Sequence, residues 1–263
     1  MGVLGLGRRR RRLEGAGGRI FLLALDHGLP AGPFPGIERP ADLLRSLRAI
    51  PFSGILANPG MVRFIAGEVP PSSGLVVHIS ASTLLGASPR SKVLSSTVER
   101  AVSLGADAIS LQISFGDPEE DRMIANAGRI VDDANSFGVP VVLSAYTPAT
   151  SGAPSTDGAA AAHAARAAAE LGASIVQTNY AGDPHGIREI VRGCPAPVVV
   201  AGGPGASSED AFIETLRATI GAGAAGVCVG RQIFQAADPV AMARRIADAV
   251  FEHTPRLVEE VMP

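Results

Sequence analysis

A carboxylate, a phenol and a glycine cradle with one guanidinium are the groups in this sequence best suited to chemistry. Asp26 closes the apolar run RIFLLAL within LDHG, and a carboxylate at the carboxyl end of a barrel strand is placed where burial and neighbours tune it for proton transfer. Tyr146 ends PVVLSAY; a phenol there can donate a proton to a developing alkoxide, and its alternative role is that of a rim residue. VVVAGGPG contains Gly202 and Gly203, and GVCVGRQIF contains Gly230 and Arg231. Glycines allow a backbone to approach an anion closely and Arg231 adds a forked donor, so a phosphate site is expected there, with plain turns as the alternative. Ser207 and Ser208 either cap the next helix or add donors. His27 follows Asp26 and is expected to face the other way, toward the helical layer or a loop. His78, in VVHIS, suits a hydrogen-bonded position inside a barrel, with Ser80, Ser82 and Thr83 near enough in sequence to meet a hydroxylated ligand.

These groups need strands to hold them. Eight β-rich runs start near Arg19, Ser53, Gly74, Asp107, Pro140, Ser174, Ala196 and Gly226. Most are continuously apolar, as strands covered on both faces are. Helices fit the gaps at 40–50, 94–104, 119–137, 158–171, 186–192, 208–220 and 239–251, and Gly105, Gly172 and Gly223 are placed to close three of them in the left-handed conformation. Eight strand–helix units predict an α/β fold, a (β/α)8 TIM barrel spanning residues 1–263 as a single domain, with an open doubly wound sheet as the alternative. The polar stretch from Thr147 to Gly158 follows the fifth strand and reads as a lid or a plain connector. GAGAAG, from Gly221 to Gly226, has the spacing of a dinucleotide fingerprint but closes a helix and enters a strand, the reverse of what such binding needs.

Composition narrows the partners. The 263 residues carry a net charge of −2, with 46% hydrophobic and 4% aromatic residues, 31 Gly and 20 Pro. No global field favours nucleic acid or an acidic membrane. The basic run from Arg8 to Arg12 forms a short N-terminal extension, read as the solvated face of a terminal helix or as a patch for an anionic partner. IFLLAL is too short to span a bilayer, and two separated cysteines, Cys194 and Cys228, suggest neither a disulfide framework nor a metal knuckle. No metal-ligand spacing and no cofactor motif is evident. A cytoplasmic protein is expected.

The segments LDHG, VVHISASTLLG, TVERAVSLGADAIS, AHAARAAAELGASIVQTNYAGD, GCPAPVVVAGGP and AGAAGVCVGRQIFQ resemble, in order and over nearly the whole chain, the archaeal-type class I fructose-bisphosphate aldolases and their relatives, the 2-amino-3,7-dideoxy-hept-6-ulosonate synthases and the thiolase of autoinducer breakdown. The resemblance implies the barrel, a phosphorylated carbonyl substrate, acid/base roles for Asp26 and Tyr146, a phosphate site at Gly203, Gly230 and Arg231, and often a homo-oligomer. It also places the family's Schiff-base lysine at Gln177. An amide nitrogen is delocalised into its carbonyl and cannot condense with a ketone, so no imine forms there. Two other family cations are missing: YTPAT replaces a Tyr-Pro-Arg-Gly-like segment, and Gly205 stands where a lysine tends to follow AGGP. The chain has a single lysine, Lys92, in GASPRSKVL after the third strand.

The favoured expectation is a carbon–carbon lyase or synthase in biosynthesis that acts on a small phosphorylated ketone or ketose without the family imine. Gln177 would hydrogen-bond the carbonyl or enediolate oxygen while Asp26 and Tyr146 move protons. The alternatives are an inactive phosphosugar-binding or regulatory homologue, and an imine-forming aldolase that uses Lys92, which would need a lowered pKa. Otherwise Lys92 is a loop or helix-start residue.

Overall fold

The computed structural model describes residues 2–147, 157–202 and 208–252, with side chains from residue 5. Eight parallel strands close on themselves: β1 (Ile20–Ala24), β2 (Gly54–Ala57), β3 (Gly74–His78), β4 (Ala108–Ser114), β5 (Val141–Tyr146), β6 (Ile175–Thr178), β7 (Val198–Ala201) and β8 (Gly226–Val229), each beside its sequence neighbours, with β8 returning to β1. The expected (β/α)8 barrel is the observed fold, with every strand in its expected place.

Alternation along each strand divides the core. Ile20, Leu22, Leu56, Val76, Ala108, Val142, Ile175, Val199 and Cys228 fill the barrel. Their neighbours, such as Phe21, Ile55, Val77, Leu143 and Val227, pack outward against the helices in two further clusters. The helices longer than one turn are α1 (Gly2–Arg12), α2 (Pro40–Ser46), α3 (Pro59–Ile65), α4 (Val98–Ser103), α5 (Glu120–Phe137), α6 (Gly158–Glu170), α7 (Pro184–Gly193), α8 (Glu209–Gly221) and α9 (Pro239–Phe251), and single turns at Gly28–Ala31 and Arg231–Phe234 follow β1 and β8. Asp157, Asp183, Ser208 and Asp238 accept from backbone N–H groups at the starts of α6 to α9, supplying partners the helix itself cannot. Gly105, Gly172 and Gly223 have φ of 87°, 100° and 105°, where a side chain would be strained.

Two expectations are corrected. The helix expected from Leu94 begins at Val98, because Val93–Leu94 pairs antiparallel with Ser80–Ala81 and Thr97 is the true cap, accepting from Arg100 N. A helix, α3, also fills the gap between β2 and β3, where none was expected; Pro59 starts it. GAGAAG does close α8 and enter β8.

The amino-terminal end of the barrel is sealed. Leu13 is fully buried with the interior residues, and a Cβ on Gly54 or Gly74 would meet its Cδ2 at 3.2 or 2.6 Å. The basic run fastens this plug: Arg9 donates to the Phe137 and Gly138 carbonyls at 2.7 and 3.0 Å, Arg12 pairs with Asp107 at 3.2 Å and Arg10 with Glu14 at 3.0 Å. No helix among the described residues is long and apolar enough to cross a membrane.

Candidate active site

At the carboxyl ends of the strands the barrel interior turns polar. Ser144 on β5 is in register with Gln177 on β6, and Tyr146 stands two residues further along the same inward face. Gln177 Nε2 donates to Tyr146 Oη at 2.6 Å. Gln177 is 6% exposed, and its Oε1 is buried without a hydrogen-bond partner. A buried amide oxygen left open costs about 1–3 kcal/mol, so it marks a place where a ligand hydroxyl would be welcome. Burial raises the Tyr146 pKa well above the phenol range and nearby Cys228 and Asp26 add to this, with hydrogen bonds from Gln177 and Ser144 opposing. The phenol therefore stays protonated at neutral pH and remains a donor.

Asp26 follows β1, and its backbone carbonyl accepts from Asn58 Nδ2 at 3.0 Å. Its charge is felt by His27, His78, Lys92, Tyr146 and Cys228. That shared influence brings the candidates from β1, β3, β5 and β8 into one mouth. Cys228, two residues before Gly230 and therefore on the same side, was not foreseen as part of it; strand alternation alone would have placed it there. Burial, then Asp26, pushes its thiol pKa up, so it stays a neutral wall residue.

The two histidines differ. His78 Nδ1 lies 3.0 Å from Ser110 Oγ and its Nε2 3.2 Å from Ser80 Oγ. Ser80 Oγ also accepts from Gln112 N at 2.9 Å, and each serine hydroxyl can give or take a proton, so the ring is partnered at both nitrogens in either neutral tautomer. Burial lowers its pKa, Asp26 opposing, so His78 is neutral and satisfied at both nitrogens. It braces the site and has no free lone pair for a substrate. His27 packs edge-on to Phe234 and tilted to Phe34, with ring centroids 5.2 and 5.7 Å away. Its Nδ1 is 3.6 Å from Asp26 Oδ1 without a hydrogen bond, and burial lowers its pKa.

At the β7–β8 side, Gly230 cannot hold a side chain: a Cβ would meet His27 Cε1 at 2.5 Å and the Ala24 carbonyl oxygen at 2.7 Å. Arg231 follows it, exposed, and no carboxylate pairs with it among the described residues. Gly202 is used differently from the expectation of a free amide. Its N–H is given to the Cys228 carbonyl at 2.9 Å, and its own carbonyl accepts from Gln232 Nε2 at 3.1 Å. Close approach is thus what Gly202 offers. Beside Arg231 opens a cleft of about 300 Å³ lined by Ser208, Phe212, Gln232 and Gln235. Glu209 also lines it, but its charge is taken by Arg245 at 3.1 Å. Gly203 and Ser207 lie outside the described residues, as do residues 148–156 of the expected lid.

Lys92 lies on the β3 side. Its Nζ donates to Ser82 Oγ at 2.6 Å, and burial lowers its pKa while Asp26 pulls it back up. Among the described residues no cluster of three or more His, Cys, Asp or Glu side chains could hold a metal ion.

Residues 20–236 match the family model of the DeoC/LacD family aldolases. A 2-amino-4,5-dihydroxy-6-oxo-7-(phosphonooxy)heptanoate synthase of Streptomyces griseus is 35% identical over 88% of this chain and 85% of its own length. A 2-amino-3,7-dideoxy-D-threo-hept-6-ulosonate synthase of Halobacterium salinarum is 35% identical over 89% of this chain and 87% of its own. Among solved structures, an archaeal fructose-1,6-bisphosphate aldolase with its catalytic lysine covalently bound to a carbinolamine intermediate superposes with a TM-score of 0.86 at 30% identity, covering 94% of this chain and 99% of that one. The chain therefore belongs to the DeoC/LacD aldolase family.

Proposed function

We propose that this chain is a carbon–carbon lyase or synthase acting on a small phosphorylated ketone or ketose, and that it works without an imine on β6. The observation that carries this reading is the Gln177 amide, buried in the barrel mouth 2.6 Å from the Tyr146 phenol, at the position where the family resemblance expects the Schiff-base lysine. The chain's single lysine, Lys92, belongs to a loop after β3.

In the synthetic direction, the Asp26 carboxylate removes the proton from the carbon next to the ketone, and the C–H electron pair moves through the new C=C bond onto the carbonyl oxygen. The second N–H of Gln177 and the O–H of Tyr146 are the donors for that enediolate oxygen. The enediolate carbon then attacks the carbonyl carbon of an aldehyde, forming the new C–C bond and an alkoxide. Tyr146 gives its proton to the alkoxide, and the proton held by Asp26 returns to the phenolate. Cleavage is the reverse. Gln177 Oε1 accepts a substrate hydroxyl, and Arg231 with Gly203 and Gly230 holds the phosphate. Two preorganised donors in a dry site contribute on the order of 3 kcal/mol each to the charged transition state.

Support comes also from family membership and from the phosphate named in the Streptomyces griseus relative's product. The test is turnover of dihydroxyacetone phosphate with a panel of small aldehydes, followed by mass spectrometry of the adduct. Wild type is expected to form product and Asp26→Asn to lose it. Tight phosphate-ester binding with no product from any aldehyde, and no cleavage of ketose phosphates, would leave a binding protein instead.

A further inference from the structure

His27 takes no part in the proton transfers described above, yet its ring is clamped on three sides. Its centroid lies 5.2 Å from that of Phe234 in an edge-on contact and 5.7 Å from that of Phe34. The third side is closed by Gly230, where an added Cβ would come within 2.5 Å of His27 Cε1. The backbone is pinned as well. His27 precedes the turn Gly28–Ala31 and its carbonyl accepts from Ala31 N at 3.2 Å, while the Asp26 carbonyl accepts from Asn58 Nδ2 at 3.0 Å.

Inside this clamp Nδ1 is buried without a hydrogen bond, and Asp26 Oδ1 stands 3.6 Å away. Phe34, Phe234 and the Gly230 Cα present only carbon to the ring, so they offer Nδ1 nothing. A hydrogen bond from a ring N–H to a carboxylate closes at about 2.7–2.9 Å, so a small rotation of the Asp26 side chain pairs the two atoms. Catalytic contacts of this kind commonly tighten only in the complex with substrate. Since a carboxylate can only accept, the pairing requires the imidazole proton on Nδ1.

We propose that His27 is the positioning residue for Asp26: when substrate binds, its Nδ1–H closes onto Oδ1 and fixes the carboxylate, leaving Oδ2 to take the substrate proton. This rests on the reading of Asp26 as the base. The ring is suited to the role because it stays neutral. Burial lowers its pKa, with Asp26 opposing and Arg231 adding to the effect. An imidazolium would bind the carboxylate as an ion pair and weaken it as a base, whereas a neutral donor aligns it and leaves it basic.

The experiment begins with the full chain carrying 15N-labelled histidine and dihydroxyacetone phosphate as the probe. Five histidines are few enough to resolve, and the His27 ring is assigned by its loss in either of two variants, His27→Leu or His27→Asn. With the probe present at neutral pH the ring is expected as the neutral tautomer protonated on Nδ1. A proton on Nε2 alone, or an imidazolium, overturns the positioning. In the aldehyde assay His27→Leu, which keeps an apolar side chain in the clamp and has no donor, is expected to lose about 10- to 100-fold in kcat, the scale of one hydrogen bond to a charged group. Its KM should stay within about threefold, as befits a contact that matters only in the transition state. His27→Asn places an amide N–H near the position of Nδ1 and should recover most of that loss. Wild-type kcat in His27→Leu, or a loss that His27→Asn does not recover, overturns the positioning, and an inactive Asp26→Asn beside it leaves the base standing. Undiminished turnover in Asp26→Asn, or a wild type without turnover, overturns both.

Discussion

The two ends of this barrel are built on opposite principles. At the amino-terminal end every feature closes: Leu13 fills the bore, Gly54 and Gly74 leave it room, and Arg9 and Arg12 fasten its helix to the Phe137 carbonyl and Asp107. At the carboxyl-terminal end polar atoms are left open: Gln177 Oε1 and His27 Nδ1 are buried without hydrogen bonds, and Arg231 and Lys92 have no carboxylate partner among the described residues. Native proteins rarely leave buried polar atoms unpaired. The contrast separates the end whose groups are paired within the chain from the end where, on the proposed reading, a ligand pairs them.

Breaking the open end should cost activity and little stability. Asp26→Asn removes the proposed base, and the expected loss in turnover is about 10²- to 10⁴-fold with an unchanged melting temperature. A variant as active as wild type in the adduct assay would remove Asp26 from the mechanism. Breaking the closed end should do the reverse. Leu13→Ala opens a cavity under the strands, and urea titration is expected to give a stability loss of about 2–5 kcal/mol, with kcat per folded molecule preserved. A Leu13→Ala protein as stable as wild type would mean that the bore is not sealed there.

Tyr146→Phe sharpens the comparison by deleting one hydroxyl at the open end. Turnover should fall about 10²-fold, since a single preorganised donor is lost while Gln177 N–H remains. A loss of substrate affinity with kcat unchanged would instead indicate a plain binding role. The smallest effect belongs to His78. Its folded pKa is lowered by burial, so the native state refuses a proton that the unfolded chain takes up near the ordinary histidine value. That contribution to stability is complete above the ordinary value and is lost as pH falls toward the folded pKa. Denaturant titrations from pH 7.5 to 5 should show a slope that flattens in His78→Gln; an identical slope would mean that His78 is protonated when folded.

The strands and their order were legible because buried parallel strands are continuous apolar runs, and IFLLA, VVVA and GVCV have no competing period. The positions of Asp26 and Tyr146 could be read from strand ends for the same reason, whereas Gln177 was singled out only by the family resemblance. Helix starts were less legible. VLSST offered an apolar pair next to a serine run, and its pairing with Ser80–Ala81 depends on a contact between distant residues. α3 was hidden because Pro59 and Gly60 look like a turn unless Pro59 is taken as a first helical residue. The fastening of Lys92 was invisible altogether. Asp117, Met123 and Ser114 lie 24 to 31 residues from their partners Ser91, Lys92 and Arg90, and nothing in local spacing announces such bonds. His78 was readable as an interior histidine, but its partner Ser110, on the neighbouring strand, was not.

The central claim, that catalysis proceeds with an amide where relatives are expected to present an amine, is tested most directly by borohydride trapping. Wild type and Gln177→Lys are incubated with dihydroxyacetone phosphate and borohydride, and the masses of the intact protein and its peptides are compared. The expected result is no reduced adduct in wild type, whose turnover is read in the parallel aldehyde assay without borohydride, and an adduct on the new side chain in Gln177→Lys. A substrate-sized mass increment on Lys92 of the wild-type chain would contradict it.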